Sequence, residues 1–97
     1  MSRRQPVVGV LGGGQLARML ALAGVPLGVD FQVLDGKTDV CAAPVASVMA
    51  AEWSDHERLA DFAARVDVAT FDFENVPADT ARWLTGHTRV APNPDAL

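Results

Sequence analysis

The chain has 97 residues, 49% of them apolar and 21% charged, with a formal net charge of −4 at neutral pH. That length suits one domain, since single domains run ~100–200 residues, and no apolar run approaches the ~18–20 residues of a membrane span. The basic residues Arg3, Arg4, Arg18, Lys37, Arg58, Arg65, Arg82 and Arg89 are scattered, which excludes a basic stripe tracking a nucleic-acid backbone.

Apolar and helical patterns alternate along the chain, as in a parallel sheet with crossover helices. Gln5–Leu11 (QPVVGVL) reads as a buried first strand, apolar on both faces. Three glycines follow, and from Gln15 to about Leu27 the pattern turns helical. Leu16, Met19, Leu20, Ala23 and Leu27 recur there at helical spacing. Gly28 closes that helix, and Phe31–Asp35 (FQVLD) is a short second strand ending in an acid. A loop over Gly36–Pro44 leads to a third strand at Val45–Ala50.

Ser54–Glu57 (SDHE) has the spacing of a capping box before a helix that buries Leu59, Phe62 and Ala63 and ends near Val66. Asp67–Phe73 (DVATFDF) is the fourth strand. Asn75-Val76-Pro77 opens a third helix, with asparagine suited to the cap and proline to the first turn. That helix carries Ala81, Trp83 and Leu84 and stops at Gly86, before a short fifth strand at Thr88–Ala91. Right-handed crossovers then give a Rossmann-like, doubly wound parallel sheet of about five strands. PNPDAL has the look of a cap and first turn, which predicts a segment of a longer chain.

The functional interest lies in VVGVLGGGQLARML, where Gly12, Gly13 and Gly14 join a strand to a helix. Free amides and the positive end of the helix dipole converge at such a turn, and glycine lets an anion approach the backbone. Gly12-x-Gly14-x-x-Ala17 fits the dinucleotide glycine fingerprint, with Asp35 about twenty residues on. A turn that only reverses the chain uses the same glycines. A loop-capping role explains Asp35 as well as a ribose contact does.

A second constellation is FDFENVP, where Asp72 and Glu74 lie two residues apart in a strand and so point to the same face. In a doubly wound sheet the fourth strand lies beside the first across the ligand crevice. Two carboxylates there suit a ligand with a phosphate at one end and hydroxyls or an amine at the other. Capping the next helix would use one of them without any ligand.

Other polar residues carry less. Cys41 is the only cysteine, so there is no disulfide within the chain and no cysteine cluster for zinc. His56 and His87 are far apart in sequence, and no metal site is expected here. Trp53 and Trp83 read as core or interface residues. MSRRQP ahead of a short, glycine-broken apolar run makes a poor signal peptide, so a cytoplasmic location is expected, with no membrane and no nucleic-acid partner.

GGGQLARM, then FENVP, then PNPDAL together resemble the N-terminal, pre-ATP-grasp domain of N5-carboxyaminoimidazole ribonucleotide synthetases, in the ATP-grasp superfamily. The resemblance covers Val8–Leu97, and it implies that residues 1–97 are that domain alone, the central ATP-grasp and C-terminal domains being absent. It also implies the family's reaction, in which 5-aminoimidazole ribonucleotide is carboxylated with bicarbonate in purine biosynthesis while ATP is hydrolysed.

By position, Gly14, Gln15 and Leu16 would meet the phosphoribosyl group, and Asp72 or Glu74 the ring-bearing end or ribose. The resemblance places ATP and magnesium in the missing domains, with no cofactor, metal or catalytic residue in this chain. It implies a homodimer for the full-length enzyme. Two positions depart from the family pattern: Ala17 replaces glycine, and Asp72 replaces glutamate with a reach shorter by one methylene. Glu74 is then the better-placed contact. Two rival readings stay open at this point. One is an NAD(P)-binding Rossmann fragment of an oxidoreductase, and the other is a non-catalytic interaction module.

Overall fold

The computed structural model describes residues 5–71 and 76–92. The first strand, β1, runs over Val7–Leu11, and helix α1 over Gln15–Gly24 continues into a single 3-10 turn at Val25–Leu27. Strand β2 is Asp30–Asp35, β3 is Ser47–Ala50, helix α2 is His56–Ala64, β4 is Val68–Phe71 and helix α3 is Ala78–Leu84. The sheet order is β3-β2-β1-β4, and every pairing is parallel. Leu11 at the end of β1 is in register with Leu34 of β2 and with Phe71 of β4. The chain therefore steps outward on one side of β1, then crosses to the other side for β4. That reversal beside β1 is the switch point where a crevice opens past the carboxyl ends of the strands.

Successive strand residues serve opposite faces. Leu11 and Leu34 join Leu59, Phe62, Ala69, Phe71, Ala81 and Leu84 in the larger core, under α2 and α3. Val10 and Val33 join Ala17 and Ala42 in a smaller core under α1. Gly9 allows the larger core to close, because a Cβ there would stand 2.6 Å from the Phe62 ring.

Four expectations from the sequence change. The buried face of α1 is centred on its small residues: Ala17 and Ala21 are buried with Leu20 packed beside their core, whereas Leu16 and Met19 are 40% and 65% exposed, and Leu27 in the 3-10 turn 81%. The helix lies closest to the sheet at its carboxyl end. A Cβ on Gly24, three residues beyond Ala21, would stand 2.6 Å from the Phe31 ring. At α2 the N-cap is Asp55 rather than Ser54, its Oδ1 accepting from the Arg58 amide at 3.2 Å. At α3 the N-cap is Pro77, extended at φ −61° and ψ 138°, so the helix starts later than a cap at Asn75 would start it. The fifth strand shrinks to one parallel bridge between Ala69 and Val90. Pro92 follows with no N–H to extend a ladder. The doubly wound α/β fold stands, with four strands and this bridge.

Candidate functional site

The site grows out of the end of β1. The amide of Gly12 donates to the Leu34 carbonyl at 2.8 Å, and Gly12 turns the chain at a φ of 97°, where only glycine is unstrained. The next amide, on Gly13, donates to Oδ2 of Asp35 at 2.8 Å, while the Gly13 carbonyl accepts from the Ala42 amide at 2.9 Å. Val40 packs directly on Gly13, leaving 2.5 Å between its Cγ2 and the place of a Cβ. Gly12 and Gly13 are therefore committed to the protein itself. They fasten the turn to β2 and to the loop that follows it.

Gly14 is different. It is the N-cap of α1, its carbonyl accepts the first helical bond from Arg18 at 3.1 Å, and it has no side chain to cap the helix. The amides of the first turn have no intrahelical acceptor. No acidic residue in that turn offsets the positive end of the helix dipole. The amides of Gly14, Gln15, Leu16 and Ala17 are the four that precede the first helical bond, and of these residues Gly14 lines the adjoining cleft.

These glycines line a cleft of about 370 Å³ together with Asp35, Lys37 and Trp53. The volume is in the range of small-molecule sites. Asp35 and Lys37 come from the end of β2 and the loop after it, and Trp53 from the segment between β3 and α2. All reach the same carboxyl edge of the sheet. Cys41 also lines the cleft, and its carbonyl lies 3.5 Å from Nη1 of Arg18, tying the loop to α1. A cleft of about 530 Å³ at the amino ends of β1 and β2, beside Val7 and Asp30, is larger. It lies away from the helix amides, so chemistry selects the smaller one.

The Asp35 carboxylate braces the glycine turn, as a loop-capping acid does, its Oδ2 accepting from the Gly13 amide while the residue also lines the cleft. Asp72 and Glu74 follow Phe71 in the sequence and lie outside the described residues, as does Asn75. Lys37 and Trp53 were not legible as site residues. The usable signal was positional, since both fall in segments that follow strands of a parallel sheet.

Residues 6–97 match the family of ribonucleotide synthetase preATP-grasp domains. The chain belongs to that family. It is 49% identical over 90 residues to the N5-carboxyaminoimidazole ribonucleotide synthase of Pseudomonas aeruginosa, a match spanning 93% of this chain and 25% of that protein. The crystal structure of the N5-carboxyaminoimidazole ribonucleotide synthetase from Thermus thermophilus superposes with a TM-score of 0.86 at 45% identity, over 92% of this chain and 25% of that one. The Staphylococcus aureus synthetase complexed with ADP gives a TM-score of 0.85 at 29% identity, over 94% of this chain and 25% of that one. The pre-ATP-grasp chain thus spans about a quarter of the length of these relatives. None of the helices among the described residues is long and apolar enough to cross a membrane.

Proposed function

We propose that this pre-ATP-grasp chain is the ribonucleotide-holding part of an ATP-dependent ligase. The reaction is carboxylation of 5-aminoimidazole ribonucleotide with bicarbonate to N5-carboxyaminoimidazole ribonucleotide, in purine biosynthesis. The observation that carries the proposal is the division of labour within the glycine turn. Gly12 and Gly13 are spent on holding the turn, whereas the start of α1 keeps its donors and Gly14 there lines a cleft.

The ribonucleotide phosphate sits on the amides of Gly14, Gln15 and Leu16, with Lys37 at the same cleft supplying a mobile positive charge. Asp72 and Glu74 take the ribose or the amine-bearing end, Glu74 with the longer reach. The contribution of the chain is positioning: the amine is held where a transient activated carboxyl donor can be attacked, which replaces an encounter in solution. ATP, with magnesium, supplies the activation of bicarbonate and is held by domains of the full-length enzyme, which works in the cytoplasm as a homodimer. By itself this chain does not turn over.

A backbone amide NMR titration with 5-aminoimidazole ribonucleotide, with NADH in parallel, tests the reading. Shifts at Gly12–Leu16 with the ribonucleotide alone are expected. Shifts with NADH that reach Asp35 would instead identify an oxidoreductase fragment. No response to either at millimolar ligand would leave the interaction-module reading.

A further inference from the structure

We infer that Trp53 is the specificity-determining wall of the glycine cleft, the surface on which a planar heterocycle lies when its phosphate sits at the start of α1. The inference rests on the ribonucleotide reading above and adds to it the residue that recognises the ring.

Trp53 stands in the segment between β3 and α2 and is half-buried, packed along one side against the larger core. Its remaining surface lines the cleft of the glycine turn. It also lines a neighbouring cleft of about 420 Å³ with Pro77 and Trp83, so the residue stands between the two. It is held from behind. Thr80 of α3 is buried, and its hydroxyl donates to the Trp53 carbonyl at 3.3 Å. Trp83 is not equivalent. Its ring is stacked with His56 at a centroid separation of 4.4 Å and with His87 at 4.0 Å. Among the described residues no ring stacks on Trp53.

The other groups lining the cleft suit the polar end of the ligand. Gly14 at the helix start and Lys37 favour an anion, Asp35 is tied to Gly13, and the Asp39 carboxylate suits a hydroxyl or an amine. Among the described residues lining the cleft, Trp53 alone carries an aromatic ring, and Val40 is turned onto Gly13. A ligand with a phosphate and a conjugated ring matches both ends of the cleft, and a sugar phosphate without a ring matches only one.

The test compares 5-aminoimidazole ribonucleotide with ribose 5-phosphate, which keeps the sugar and phosphate but lacks the ring. The chain has 2 tryptophans, so the two indole N–H resonances can be followed beside the amides of Gly14–Leu16 in one titration. Both ligands are expected to move those amides, and only the ribonucleotide is expected to move the Trp53 indole. Trp53→Leu should weaken ribonucleotide binding about ten-fold, the range of base stacking on an aromatic side chain, and leave ribose 5-phosphate binding unchanged. Trp53→Phe, which keeps a ring and guards against a folding defect, should restore most of the loss. If the ribonucleotide moves the amides while the Trp53 indole stays silent, or if Trp53→Leu binds it unchanged, the inference falls and the ribonucleotide reading stands. If neither the amides nor the indole respond, both fall together.

Discussion

Two glycines that look alike in sequence do different work. At Gly12 the requirement is torsional, because its φ is 97°. At Gly13 it is steric, since a methyl group would stand 2.5 Å from Cγ2 of Val40 and 3.1 Å from Cγ1 of Val33. Gly13→Ala should therefore cost about 2 kcal/mol in urea unfolding, the scale of an overpacked core. Val40→Ala in the same chain should recover part of that loss, because it removes Cγ2 but leaves Cβ of Val40 2.9 Å from the added methyl group. Independent, additive losses would show that Val40 is not what Gly13 accommodates. Asp35→Ala removes the acceptor of the Gly13 amide and should cost about 2 kcal/mol, as for hydrogen bonds to charged groups. Asp35→Asn, which keeps an acceptor oxygen, should lose less than half as much; equal losses would count against the bond to Gly13. The sequence showed the glycine triplet and the acid that ends β2 but not their connection. A ribose contact and a brace on the turn place the same residue at the same strand end, and the brace shows only in the bond to the Gly13 amide.

At the scale of elements the strands were legible and the helix faces less so. Buried strands of a parallel sheet are continuous apolar runs, and β1 (VVGVL) shows one plainly, whereas β2 (DFQVLD) is broken by Gln32. For α1 the large apolar residues suggested one face, and the sheet selected another through Ala17 and Ala21. Hydrophobic size misleads where a helix sits close to a sheet, because the contact then needs small side chains. The consequence is measurable. Met19→Lys should change stability by less than about 0.5 kcal/mol, as for exposed sites, whereas Ala21→Leu should destabilise by about 2 kcal/mol through overpacking. A large loss for Met19→Lys with a neutral Ala21→Leu would restore the face expected from the sequence. The termination of the fifth strand and the shifted caps at Asp55 and Pro77 were out of reach for a similar reason. Each is decided by one hydrogen bond or one missing N–H among neighbouring residues of equal propensity.

At the scale of the molecule, one sheet separates two cores of unequal size, and the same strands floor both. Val33 faces the α1 side and Leu34, its neighbour in β2, faces α2 and α3. Neither face can lose its packing without disturbing strands that the other needs, so the two cores should unfold together. Both tryptophans pack against the α2 and α3 side, which makes their fluorescence a probe of one face, while far-UV circular dichroism reports on all the helices and strands. Val33→Ala, on the opposite face, removes two buried methyl groups and should cost about 2 kcal/mol. At this chain length that lowers the midpoint by about 10 °C. The decisive feature is where the loss is seen. The tryptophan transition should fall by the same amount as the dichroism transition, although no tryptophan touches the substituted core. If Val33→Ala lowers the dichroism midpoint and leaves the tryptophan midpoint in place, the two faces unfold separately. The cleft at the end of β1, which takes residues from β2 and from the segment before α2, would then have walls that do not move as one body.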